Sequence, residues 1–135
     1  MKRVRAIELN VKNTIGGWNK KHWSHVWDED VYLIGMSFHA CTSGTAQGVV
    51  LRLTKGVTDV LTDTEMEDTY FAVGGTVGSA AGHYAGSGGQ SFMLPEGYYF
   101  PVNEDEPIFL DVFTDLDDQG GHMVLYYVLK REWKK

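Results

Sequence analysis

Residues 31–54 read VYLIGMSFHACTSGTAQGVVLRLT, two apolar runs around a small, polar turn. In the first run Tyr32, Ile34, Met36, Phe38 and Ala40 alternate with Val31, Leu33, Gly35, Ser37 and His39. In the second, Val49, Leu51 and Leu53 alternate with Arg52 and Thr54. A repeat of two is the signature of a β-strand, whose successive side chains point to opposite faces. The alternation predicts two strands with Tyr32, Ile34, Met36, Phe38, Val49, Leu51 and Leu53 turned toward a core.

The pattern extends both ways. IFLDVFT (108–114) places Ile108, Leu110 and Val112 on the core side and Phe109, Asp111 and Phe113 opposite. HMVLYYVLK (122–130) is apolar on both faces, Met123, Leu125, Tyr127 and Leu129 against Val124, Tyr126 and Val128. VRAIELNV (4–11) gives a first strand, and YFAV (70–73), FML (92–94) and YYFPV (98–102) give shorter ones, with Pro101 marking an edge or a bend. A short helix is expected at 63–68, where Asp63 and Thr64 suit an N-terminus. The Gly-rich stretch 74–91 is expected to be a surface loop. Seven to eight strands joined by Gly- and Asp-rich turns, with no long helix, predict an all-β, antiparallel sandwich or barrel. The 135 residues fit one domain, 1–135, with a basic N-terminal strand or arm.

Composition narrows the function. Apolar residues at 43% and charged residues at 22% exclude a disordered chain. The net charge of −6 argues against nucleic acid as a partner. That charge is uneven: Arg52 and Lys55 are the only basic residues of 31–129, whereas Lys2, Arg3, Arg5, Lys130, Arg131, Lys134 and Lys135 crowd the ends. Arg3 and Arg5 are therefore expected to dock on an acidic surface of a neighbour, such as the turns holding Asp63, Glu65, Glu67 and Asp68 or Glu104, Asp105 and Glu106. Cys41 is the single cysteine, which excludes an intrachain disulfide and reads as a buried thiol. No apolar run approaches the ~20 residues of a membrane span, and no signal-peptide core follows the basic start. Synthesis in a cytoplasm is the expectation.

Chemistry-bearing motifs are weak. His22 and His25 stand three apart, but His39, His83 and His122 are scattered and no supporting Cys or Glu falls at ligand spacing. Asp111, Asp115, Asp117 and Asp118 lie near Gly120 and Gly121, without the loop length or terminal Glu of an EF-hand. Ser79, Ser87 and Ser91 lie near His83 without a Gly-x-Ser-x-Gly elbow. No cofactor, metal or catalytic residue is expected. Trp18, Trp23 and Trp27 form the most unusual cluster. They either cover an open end of the sandwich or form a ligand or interface platform. The two-sided apolar strands suggest that Phe109, Phe113, Met123, Leu125 and Tyr127 lie at a subunit contact or beneath the N-terminal arm.

LPEGYYFPVNEDEPIFLDVFTD (94–115), GGHMVLYYVL (120–129) and WDEDVYLIGMSFHA (27–40) together resemble jelly-roll structural proteins of tailed bacteriophages and related viruses. The features carrying the resemblance are Pro95-Glu96-Gly97, Glu106-Pro107-Ile108 and the passage from Gly120-Gly121 to Tyr126-Tyr127. It implies a jelly-roll sandwich in a capsid decoration, minor head or tail protein, made in the host cytoplasm and located in the virion. Its partners would be itself, as a homo-oligomer with a trimer as one candidate, and other virion proteins. The resemblance transfers no catalytic residue. A carbohydrate-binding β-sandwich module, with a glycan as partner, is the alternative, and a small sandwich or barrel enzyme the third reading.

Overall fold

The computed structural model describes residues 3–42, 47–55, 69–77, 82–83, 89–114 and 117–133. They form ten antiparallel strands: β1 (Arg5–Asn13), β2 (Gly17–His25), β3 (Val31–Thr42), β4 (Gln47–Thr54), β5 (Thr69–Val77), β6 (Gly82–His83), β7 (Gly89–Met93), β8 (Phe100–Val102), β9 (Ile108–Thr114) and β10 (Gln119–Leu129). A 3-10 turn, Lys130–Glu132, follows β10. The expected helix at 63–68 and the Cys41 side chain lie outside the described residues.

Two sheets result. One runs β1-β10-β3, with β6, β7 and β8 lying successively along the far side of β3; the other runs β2-β9-β4-β5. The pairing is nested. Arg5 faces Tyr127, Gly17 faces Thr114, Val31 faces Val102, Cys41 faces His83, Gln47 faces Val77 and Thr54 faces Thr69. One long hairpin has therefore been rolled so that its successive quarters fall alternately in the two sheets. That is a jelly roll. Pro101, which has no N–H to give, sits in β8, whose described partner is β3 alone.

The core lies between the sheets. Val31, Leu33, Met36, Val49, Leu51, Leu53, Ile108, Leu110, Val112, Met123 and Leu125 are each 0% exposed. Burying each such side chain stabilises the fold by about 1.5–3 kcal/mol. At the corner between the sheets Asn13 Nδ2 donates to Gly17 O (3.0 Å) and to Thr114 Oγ1 (2.9 Å). Gly17 takes the left-handed φ of 100° that the corner requires.

Three expectations change. Tyr32 and Ile34 are not core residues. Tyr126 faces Gly35 while Tyr127 faces Leu33, so Ile34 is an extra residue, a β-bulge that reverses the phase of β3. Val31 and Leu33 point inward before it, and Met36 and Phe38 after it. Residues 17–25, outside every predicted strand, form β2. The stretch 74–91 is not one loop: β5 runs to Val77, and β6 and β7 pair with β3.

Candidate assembly surfaces

The strands that read as apolar on both faces lie in different sheets, so they share no outer surface. Phe109 and Phe113 do point outward from β9 and are half-buried. Met123 and Leu125 do not. They face Phe38 and Met36 across the ladder, and cross-strand partners share a face, so both point into the core and are closed to any partner. Tyr127 is partly buried against the same core. The N-terminal segment covers neither face, because it is taken up as the edge strand β1.

Around Phe109 and Phe113 the outer face of the four-stranded sheet is locked together by charge. Arg52 and Asp111 are register partners on β4 and β9. Arg52 Nη2 donates to Asp111 Oδ2 at 2.8 Å, and the two side chains are only 11% and 5% exposed. The Lys21 N–H donates to Asp111 Oδ1 at 2.9 Å. Lys21 has φ 54° and sits in an irregular stretch of β2 between Asn19 and Trp23. Lys21 Nζ lies 4.8 Å over the Phe109 ring, Arg52 lies 5.3 Å over Trp18, and Trp18 packs on Phe113 at 5.4 Å.

The three tryptophans are thus separated. Trp18 lies outside with Phe113. Trp23 pairs with Leu110 and packs on the core, and Trp27 is buried at 7% exposure. His25 is held between their rings, 5.7 Å from Trp23 and 4.6 Å from Trp27, and Trp27 meets Tyr127 at 5.1 Å. Loss of solvent around His25 lowers its pKa from the usual 6.5. Trp23 and Trp27 pack on the core while Trp18 lies outside, so the three indoles form no common platform.

The basic ends do meet. Arg5 bonds Glu132 at 3.0 Å, Arg131 bonds Glu29 at 2.8 Å, and Lys130 lies 3.7 Å from Asp30. Much of their charge is therefore answered within the chain. Arg3 has no ion pair among the described residues.

One surface had no signal in the alternation. On the outer face of the six-stranded sheet Val4, Ile34, Met93, Leu94, Pro95, Gly97, Tyr98 and Trp133 line a groove of about 180 Å³, with Glu96 as its charged member. Val4, Met93 and Tyr98 are 54%, 51% and 66% exposed, far above core values. Beside it Tyr32 and Tyr99 stack at 3.7 Å and Trp133 meets Tyr99 at 5.0 Å. The bulge creates this surface by turning Tyr32 and Ile34 outward. Met93 then lies over Gly35, where a side chain would collide with its sulfur.

Among the described residues no three His, Cys, Asp or Glu side chains are grouped to hold a metal ion, and no helix is long and apolar enough to cross a membrane. No protein-family model matches the sequence, and no curated protein matches it. Solved structures do. The giant freshwater prawn Macrobrachium rosenbergii extra small virus virus-like particle matches at TM-score 0.51 and 12% identity, over 95% of this chain and 77% of that one. The acid-stable capsid of Helicobacter pylori bacteriophage KHP30 gives 0.48 and 12%, over 96% and 94%. The infectious bursal disease virus VP2 subviral particle gives 0.43 and 14%, over 95% of this chain but only 33% of that one. At 12% identity the first likeness is one of fold, a jelly-roll sandwich of the kind found in a viral shell.

Proposed function

We propose that this chain is a non-enzymatic structural subunit of a virion, acting by association with copies of itself and with other virion proteins. The observation that carries the reading is a jelly roll, alike in fold to a virus-like-particle protein over 95% of its length, that leaves an apolar groove open to solvent. The finer expectation, a decoration, minor head or tail protein of a tailed phage, belongs to this proposal. So do the contact roles of Phe109 and Phe113, beside Trp18, and of Arg3 and Arg5. A sugar platform gains nothing from the tryptophans, since Trp23 and Trp27 are taken up by the core and Arg52 lies over Trp18.

Light scattering on the purified chain across a concentration series, with negative-stain imaging, tests the reading. Discrete oligomers or shell-like particles are the expected result. A chain that stays monomeric at every concentration, joins no virion protein and binds a glycan array would replace it with the carbohydrate-binding module.

A further inference from the structure

We infer that the groove lined by Val4, Ile34, Met93, Tyr98 and Trp133 is a two-fold contact, and that its occupant is the same groove of a second copy. The inference rests on the self-assembly reading and assigns it a place and a symmetry.

The first support is the concentration of exposed apolar surface. Val4, Met93 and Tyr98 line the groove, and Tyr99 adjoins it through Trp133. They come from the start of the chain, the end of β7 and the turn before β8, so they are gathered by the fold. Exposed apolar groups gathered in one place mark an interaction surface, whereas scattered ones do not.

The second support is charge. Glu96 belongs to the groove lining, and Arg3 immediately precedes the lining residue Val4. Both are exposed, and neither has an ion pair among the described residues. A two-fold contact is isologous: if residue i of one copy meets residue j of the other, j also meets i. An apolar groove with a carboxylate in its lining and a cation next in the chain to the lining residue Val4, neither ion-paired among the described residues, is suited to this arrangement. In the proposed contact Arg3 of each copy meets Glu96 of the other, and the apolar lining is buried between them. A glycan is the poorer occupant. Sugar recognition needs several convergent hydrogen-bonding side chains around a ring-stacking face, and among the described residues Glu96 is the only carboxylate, amide or guanidinium side chain in the lining.

Analytical ultracentrifugation of the full chain tests the contact. Tyr98→Asp and Met93→Asp each place a charge at its apolar centre and should weaken dimerisation at least about tenfold. Circular dichroism and thermal midpoints check the fold. Should Met93→Asp fail to fold, Tyr98→Asp, at a position in an exposed turn, carries the test. Arg3→Glu and Glu96→Arg should each weaken the dimer severalfold, and the two together should restore it, which only a direct reciprocal pair explains. Self-association unchanged by both aspartate variants overturns the inference and leaves the structural-subunit reading standing. A wild-type chain that is monomeric throughout also overturns the inference. The subunit reading falls with it only if that monomer joins no virion protein either.

Discussion

Asp111 belongs to the outer face of a sheet, yet its carboxylate is nearly closed to water. It is tolerable there because it accepts from Arg52 twice and from the Lys21 backbone once, so no lone charge is left. Asp111→Ala would remove the carboxylate that Arg52 and the Lys21 N–H share on this face. The expected loss is about 1–3 kcal/mol in urea unfolding, with a smaller loss when Arg52→Met is added. His25 makes a different prediction. Desolvation between Trp23 and Trp27 disfavours its charged form, so its pKa in the folded chain lies below the 6.5 of the unfolded one. The unfolded chain takes up the proton first. The stability due to neutral His25 is therefore whole above pH 6.5, falls as pH drops through that value, and stops falling below the lowered folded pKa. Denaturation midpoints at pH 8 and pH 5 should differ more for the wild type than for His25→Gln. Equal differences would mean that burial at His25 is not coupled to the proton.

The strands show which parts of the fold are legible in a sequence. Ile108, Leu110 and Val112 alternate without interruption, and β9 is a regular strand buried on the side they name. In β3 the alternation of residues 31–40 is equally regular, but apolar residues occupy both sides, and one inserted residue decides which side is inner. Nothing in VYLIGMSFHA marks Ile34 as that residue. The nearest signal is Gly35, the one position where Met93 and the Phe92 carbonyl leave no room for a side chain. The second strand carries no strand alternation because, as the edge of its sheet, GWNKKHWSH keeps a polar, exposed middle. The groove gives no such signal for a further reason: it joins the segment 93–98 to Val4, Ile34 and Trp133, and only the pairing of β1, β10, β3 and β7 brings these together. Gly120 carries the prediction at this scale. A methyl group there would overlap the Val11 carbonyl of β1 and lie 2.8 Å from Lys12 Cα, and backbone cannot swing aside. Gly120→Ala should cost at least about 1–3 kcal/mol, with hydrogen-exchange protection lost first at Val11–Asn13.

At the level of the whole molecule, the nested pairing sets how the chain finds its fold. Thr54 meets Thr69 across a short separation, whereas Arg5 must find Tyr127. Contacts so distant in sequence are entropically expensive until the inner ones hold, which places refolding in the range of about milliseconds to seconds rather than microseconds. Stopped-flow fluorescence of the buried tryptophans should show this, and a microsecond phase carrying the full amplitude would contradict it. Hydrogen exchange during refolding should protect β4 and β5 before β1.

The Arg5–Glu132 bond has a consequence of another kind. It places the first strand and the last turn side by side, so a short linker could join residues 3 and 133 while the chain is cut open between β4 and β5. Such a circular permutant would contain the same core and the same two sheets. Its shortest-range pair, however, would be β1 with β10 and its longest-range pair β4 with β5. The order of assembly would run from the opposite end of the roll, with the termini and any fused cargo moved away from the groove.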